Sequence, residues 1–230
     1  MNVGSETSAM NKICVVVPAF NESENIGKLV KELFSYVSEV IVVDDGSTDD
    51  TSGRARDAGA AVLRLPQNRG KGAALRTGFK HALETGCDGL ITMDADGQHD
   101  CKDILPFIDE AERSGAGIVL GTRMKSVRDM PLVRLLTNIV TSFIVSILSR
   151  QKISDSQTGF RFIRREVVER VRLTTTNYDM ESEILIKAGR KGFKITEVPI
   201  ETIYSGQASN INAFVDTLRF IRLVLLCGIR

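Results

Sequence analysis

Five short apolar runs, at residues 13–17, 40–43, 61–65, 90–93 and 118–120, alternate with stretches of helical pattern. No other feature narrows the fold as far. Each run is bounded by Gly, Pro, Asp or Asn and most lack polar alternation, the pattern of strands buried on both faces. Helices are expected between them, near residues 24–36, 51–58, 72–85 and 103–114. Asn21, Glu22, Ser23 and Glu24 put capping oxygens and carboxylates where the first helix dipole favours them. Strand–helix alternation means βαβ units, so the class is α/β with a parallel sheet covered by helices on both faces. Ligands of such sheets sit beyond the carboxyl ends of the strands. The polar residues gather there, at 18–22, 44–49, 68–72 and 94–99, so four loops converge on one edge.

Composition excludes several classes. The 230 residues are 43% hydrophobic and 26% charged, ordinary values for a globular chain with a full core. Thirty basic and 29 acidic side chains leave +1, so no global charge draws nucleic acid. The balance hides a split: residues 1–120 carry 12 basic and 19 acidic groups, while 121–172 carry 11 and 4. The acidic part suits a metal-dependent site and the basic block an anionic partner. Four cysteines at 14, 87, 101 and 227 have no ligand spacing and read as buried thiols of a reducing compartment. Residues 1–12 are polar and contain no signal-peptide apolar stretch.

Asp94-Ala95-Asp96-Gly97-Gln98 follows the fourth strand. Two carboxylates two residues apart at a strand end can share a hard cation, with Gln98 adding a neutral oxygen; Mg²⁺ and Mn²⁺ are usually held this way against substrate phosphates. Read alone, the same residues are a solvated turn. Asp44-Asp45-Gly46-Ser47 is a second acidic strand end, suited to a base or ribose, although Asp49 or Asp50 also serves as a helix cap. Asn68-Arg69-Gly70-Lys71-Gly72 offers Arg69 and Lys71 to a pyrophosphate but lacks the spacing of a Walker A loop. No GxGxxG follows the first strand. Asp155-Ser156-Gln157-Thr158-Gly159-Phe160-Arg161 could line an acceptor site. His81 reads as structural, and His99 as a neighbour of the acidic pair.

Residues 135–148 are fourteen positions without a charge, flanked by Arg134 and Arg150. That is short of the ~20 residues of a membrane span and suits a core or interfacial helix. Residues 213–230 carry a second apolar stripe, at Phe214, Val215, Leu218, Ile221 and Leu225, and the same two readings apply.

In order along the chain, Val16–Glu22, Val43–Ser47, Asn68–Gly72, Asp94–Gln98, Gly121-Thr122-Arg123 and Asp155–Arg161 resemble a family 2 glycosyltransferase of the GT-A fold, a Rossmann-like, mostly parallel sheet. Within it they are most similar to the dolichyl- or polyprenyl-phosphate sugar synthases. The resemblance implies that Pro18, Ala19, Phe20, Glu22, Val43, Asp45, Lys71 and Ala95 surround a GDP- or UDP-linked sugar. It implies that Asp94, Asp96 and Gln98 hold Mg²⁺ or Mn²⁺ at the diphosphate. Arg123, Arg134 and Arg161 would face the acceptor, with Arg123 also near the donor. Asp155 and Asp96 would be catalytic, Asp155 as a base or an orienting group. Where the subgroup has an Arg and a Lys, this chain has Tyr204 and Asn210.

The implied activity is inverting transfer of a hexose to an acceptor, a polyprenyl or dolichyl phosphate by the resemblance. Alternatives are a soluble or polysaccharide acceptor, or a non-catalytic nucleotide-sugar-binding subunit. The expected organisation is a flexible terminus at 1–11, a transferase domain at 12–205 and an amphipathic helix at 206–230. The expected location is cytoplasmic and peripheral on the cytoplasmic face of a membrane, with a membrane subunit or a homodimer as partner.

Overall fold

Successive side chains of a strand point to opposite faces, so a run without polar alternation is satisfied only by a sheet covered twice. The computed structural model describes residues 10, 12–123, 132–201 and 213–228. Strands β1 (Ile13–Ala19), β2 (Glu39–Asp44), β3 (Ala61–Arg64), β4 (Gly89–Thr92) and β5 (Ile118–Thr122) alternate with α1 (Ile26–Leu33), α2 (Thr51–Asp57), α3 (Lys71–Glu84) and α4 (Ile104–Ser114). Then follow α5 (Leu132–Ser149), β6 (Arg161–Arg164), α6 (Arg165–Arg170), α7 (Asp179–Arg190), β7 (Ile195–Pro199) and α8 (Ala213–Gly228).

The sheet order is β3-β2-β1-β4-β6-β5-β7. Neighbours run parallel except β6, which is antiparallel to both β4 and β5. The chain winds outward from β1 through β2 to β3, then returns to place β4 on the other side of β1. That reversal is a topological switch point, and it opens a crevice between the carboxyl ends of β1 and β4.

Two cores form, one on each face. Cys14, Val16, Ile41, Val43 and Leu90 pack with Ala74, Phe79 and Ile184. Val15, Val17, Val42 and Ile91 pack with Ile26, Leu33, Ile104 and Phe107. Helix α1 buries Ile26, Leu29, Val30 and Leu33, the i, i+3, i+4, i+7 stripe, and each such side chain contributes about 1.5–3 kcal/mol. Helix α4 stops at Gly115, whose φ of 65° needs the left-handed region. Helix α3 lies unusually close to the sheet, because a Cβ on Gly78 would stand 2.4 Å from Val16 Cγ1.

Three expectations change. The third apolar run is half-exposed rather than buried, because β3 is the edge strand. The first helix is capped by Asn25 without a side-chain cap bond, so residues 21–24 form a loop instead. Cys14 and Cys87 pair as a disulfide, with 6.2 Å between their Cα atoms, while Cys101 and Cys227 are buried thiols. The pairing joins residues 73 apart because β1 and β4 are neighbours in the sheet.

For the two apolar helices, where core and interfacial readings were both open, the structure distinguishes the faces. In α5, Leu136, Ile139, Val140, Phe143 and Ile147 are exposed, by 46 to 65%, while Asn138 and Ser142 are buried. In α8, Leu218, Ile221 and Leu225 are exposed and Leu223 and Cys227 are buried. Leu218, Ile221 and Leu225 of the second stripe therefore point away from the core, as do most large apolar residues of α5 other than Val145. Among the described residues no helix is long and apolar enough to cross a membrane.

Candidate active site

The four polar loops meet at the carboxyl edge and are tied to one another. Asn21, at φ 56°, donates its backbone N–H to Ser47 Oγ at 2.9 Å and accepts from Thr48 N at 2.8 Å. Glu22 N donates to Thr51 Oγ1, and Ser23 N to Asp49 Oδ2. Burial pushes the Asp49 carboxyl up, but hydrogen bonds from Thr51 and Ser23 outweigh it and bring it to about 2. Asp44 is fully buried and accepts from Ser47 N at 2.7 Å. Asp45 reaches the next loop, accepting from Arg69 N and Gly70 N, each at 2.8 Å. Burial raises its carboxyl despite those bonds.

Pro18 and Ala19 end β1, and Phe20, just beyond it, is 38% exposed. Glu22 lies in the turn beyond them. The side chains of Ala19, Val43 and Ala95 are buried in the cores, so any contact with a nucleoside there would be made through backbone.

Asp94 and Asp96 follow β4. Lys71, the first residue of α3, sits between two carboxylates, 2.6 Å from Asp94 Oδ1 and 2.8 Å from Glu181 Oε1. Burial disfavours its ammonium, but Asp94 and Glu181 outweigh that and raise its pKa. Burial likewise pushes Asp94 up, and Lys71 brings it below the ordinary range. The other Asp94 oxygen lies against Gly159, where a Cβ would stand 2.4 Å from Oδ2. Asp96 Oδ1 accepts from Gln98 N at 3.0 Å. Glu22 is raised by burial first, with the negative charge of Asp96, Asp49 and Asp94 adding to it.

The donor set fits a hard divalent ion. The negative charge of Asp94 and Asp96 is felt at Glu22, and Lys71 is shared between Asp94 and Glu181. A pair of carboxylate oxygens with remaining positions left to phosphate is how Mg²⁺ is usually bound. Close by, His99 Nδ1 is buried without a hydrogen-bond partner among the described residues. Its ring stands 5.2 Å from that of Phe160, and burial lowers its pKa to about 4, leaving it neutral.

Arg123, at the end of β5, is clamped by Asp155. Arg123 Nε lies 2.7 Å from Oδ2 and Nη2 2.8 Å from Oδ1, while Asn138 Nδ2 donates to Oδ1 at 3.0 Å. Asp155 is fully buried; burial raises its carboxyl, and Arg123 and Asn138 outweigh that and lower it. A carboxylate so engaged is arranged to orient a cation rather than to accept a proton.

Arg161 meets a different environment from the one expected of an acceptor ligand. It is 2% exposed, and its guanidinium donates to the carbonyls of Thr158, Glu181 and Ser156. It shapes the 155–161 loop from inside. Arg134 is part of α5, but its side chain, with Tyr204 and Asn210, lies outside the described residues. Lys71, Asp94, Arg123 and Asp155 are thus brought together, whereas Arg161 is withdrawn from the surface.

Three participants were not anticipated. Glu181 on α7 completes the Lys71 site. Asn138 and Ser142 on α5 hold the 155–156 loop, with Ser156 N donating to Ser142 Oγ at 2.9 Å. Two small polar residues four apart in an apolar helix were the available signal for the second pair. Nothing local marks Glu181 among its charged neighbours.

The switch-point crevice thus gathers an acidic pair, a buried lysine and a carboxylate-clamped arginine on one edge of the sheet. The profile of glycosyl transferase family 2 matches residues 14–172, and the chain belongs to that family. The chain is 32% identical over 200 residues to a polyprenol monophosphomannose synthase of Mycolicibacterium smegmatis, covering 81% of this chain and 75% of that one. It is 32% identical over 239 residues to a UDP-N-acetylglucosamine–dolichyl-phosphate N-acetylglucosaminyltransferase of Methanococcus voltae, covering 93% and 95%. Among solved structures, glucosyl-3-phosphoglycerate synthase of Mycobacterium tuberculosis, in complex with Mn²⁺ and UDP-glucose, has the same fold, at a TM-score of 0.73 and 22% identity over 94% of this chain and 79% of that one. The protein is a family 2 glycosyltransferase.

Proposed function

We propose that the protein transfers a hexose from a GDP- or UDP-linked sugar to a polyprenyl or dolichyl phosphate, with inversion at the anomeric carbon, at a membrane surface. One observation carries this reading. The Asp94–Lys71 pair and the Asp155–Arg123 pair share one edge, and the helix that supports Asp155 turns its apolar side outward. Donor phosphate chemistry and a lipid-facing element are therefore adjacent.

Asp94, Asp96 and Gln98 would hold Mg²⁺ or Mn²⁺, which when bound neutralises charge on the departing nucleoside diphosphate. The backbone at Pro18–Phe20 and Val43, with Glu22 and Asp45, would receive the nucleoside. Lys71 would supply a fixed cation at the donor. Arg123, oriented by Asp155, would bind an anion at low reorganisation cost, since a bidentate pair holds the guanidinium in place. The acceptor oxygen attacks C1 from the face opposite the diphosphate, so one C–O bond forms as the other breaks. A phosphate monoester is already anionic, and a buried, low-pKa Asp155 has no proton to remove.

Relatives named for dolichyl and polyprenyl phosphate acceptors, and a structural neighbour held with Mn²⁺ and UDP-glucose, support the reading. Thermal unfolding with a panel of nucleotide sugars and Mn²⁺ tests the donor, since a ligand at 100 times its Kd adds about 2.7 kcal/mol. Transfer of labelled hexose to polyprenyl phosphate in vesicles tests the acceptor. Stabilisation by one donor without transfer to any lipid phosphate would exclude the proposed acceptor.

A further inference from the structure

Helix α5 departs from an ordinary surface helix. Two of its polar residues face inward beside Val145, Asn138 at 1% and Ser142 at 3% exposed. Much of its apolar surface faces outward, with Val140 57%, Phe143 65% and Ile147 61% exposed, while Val145 packs in the core. A surface helix normally buries the apolar side, because that burial supplies its stability. Here the inner side makes a ladder of hydrogen bonds at i, i+4, i+8. Asn138 Nδ2 donates to Asp155 Oδ1 at 3.0 Å, Ser142 Oγ lies 3.0 Å from Asn138 Oδ1, and Ser156 N donates to Ser142 Oγ at 2.9 Å. Ser146 Oγ accepts from Ile153 N and donates to Ile153 O, each at 3.0 Å. The ladder therefore runs along residues 153–156 and ends on the carboxylate that clamps Arg123.

We propose that Asn138 is a positioning residue that couples an anionic bilayer on the outer face of α5 to the Asp155–Arg123 pair. The occupant is argued from shape and charge. The exposed apolar row is bordered by a groove of about 530 Å³ lined by Ile139, Phe143 and Ile147, with exposed Arg150 and Lys152 along the same wall. Apolar side chains flanked by cations match lipid headgroups over acyl chains. Helix α8 adds exposed Leu218, Ile221 and Leu225, and Arg190 ties the ends of both helices by donating to Leu148 O and Cys227 O. The inference rests on the proposed lipid-phosphate acceptor and adds its regulation: engagement of the outer face fixes the rotation of α5, and the inner ladder passes that constraint to Asp155.

The test uses the full chain with vesicles of phosphatidylcholine and phosphatidylglycerol lacking any acceptor. A short-chain, water-soluble prenyl phosphate is supplied as substrate. Wild type is expected to float with the vesicles, and they should raise its turnover on the soluble acceptor about five- to tenfold, the low end of ordinary coupling between sites. Phe143→Glu should neither float nor be stimulated, while its turnover without vesicles stays at the wild-type value. Asn138→Ala should float yet show no stimulation, with a raised KM for acceptor and an unchanged KM for donor. Ser142→Ala, a smaller change, should lose part of the stimulation, and it decides the matter if Asn138→Ala does not fold. Amide hydrogen exchange at residues 153–157 reads the coupling without turnover, with vesicles slowing exchange in wild type and not in Asn138→Ala.

Equal stimulation or equal protection in Asn138→Ala overturns the coupling. So does a stable dimer in solution that buries this face, or flotation of Phe143→Glu. If wild type floats and gains protection but turns over no prenyl phosphate, the acceptor assignment fails while the coupling stands.

Discussion

Arg123 and Asp155 form a buried two-pronged ion pair, Nε to Oδ2 at 2.7 Å and Nη2 to Oδ1 at 2.8 Å, joining the end of β5 to the loop beyond α5. A guanidinium buried against a carboxylate clamp loses most when that clamp loses its charge. Asp155→Asn should destabilise the fold by about 3 kcal/mol in urea unfolding. Arg123→Lys keeps the charge but not the fork, so it should raise the acceptor KM while leaving donor affinity nearly constant. Equal losses toward both substrates would contradict this assignment.

Asp96 stands at the same strand end as Asp94, whose carboxylate shares Lys71 with Glu181. Asp96→Ala should retain the circular dichroism of the wild type and lower Mn²⁺-supported transfer by about 10²–10³, the scale of removing a charge-stabilising group. Mn²⁺ binding followed by electron paramagnetic resonance should weaken in parallel. Near-normal turnover would remove the metal from Asp96.

Gly159 has no room for a side chain, because its Cβ would stand 2.4 Å from Asp94 Oδ2. Gly159→Ala should push the Asp94 carboxylate aside at an overpacking cost of about 1–3 kcal/mol. Titration calorimetry with donor and Mn²⁺ should show affinity at least about tenfold weaker, a 1.4 kcal/mol change. Unaltered affinity would place Asp94 outside the donor site.

Glu183 accepts from the backbone N–H of Thr174 and Thr175 and pairs with Lys187, and the segment it holds packs on Gly70 and Gly72 through Thr176 and Asn177. Burial alone would raise its carboxyl, yet the Lys187, Thr174 and Thr175 bonds bring it to about 2. A lowered folded pKa adds stability that is complete above the unfolded value near 4.5 and is lost as pH falls toward 2. Glu183→Gln should therefore be less stable than wild type at pH 7 by at most about 3 kcal/mol. The gap should close below pH 3; a gap independent of pH would mean that the charge of Glu183 does not matter.

The first half of the fold was legible because its signals are local. Buried parallel strands leave continuous apolar runs, and residues 13–17, 40–43 and 90–93 sit in β1, β2 and β4. The second half was not. Strand β6 reads Arg-Phe-Ile-Arg, and its first arginine is buried only because three backbone carbonyls happen to surround it. Strand β7, helix α6 and helix α7 likewise carry no run long enough to stand out. At the site, Asp94, Asp96, Lys71, Arg123 and Asp155 could be named from their loops, whereas Glu181 and Asn138 could not, because their partners lie 110 and 17 positions away.

By itself, the order of residues determined a parallel sheet with its polar loops at one edge, since hydrophobic period and turn chemistry act over a few neighbours. It also carried the resemblance that led to the family. Only the packed molecule decided which carboxylate orients a cation, which arginine is withdrawn from solvent, and which side of α5 faces out. Those outcomes depend on distances between segments remote in the chain, and burial reverses what a side chain's own chemistry would suggest.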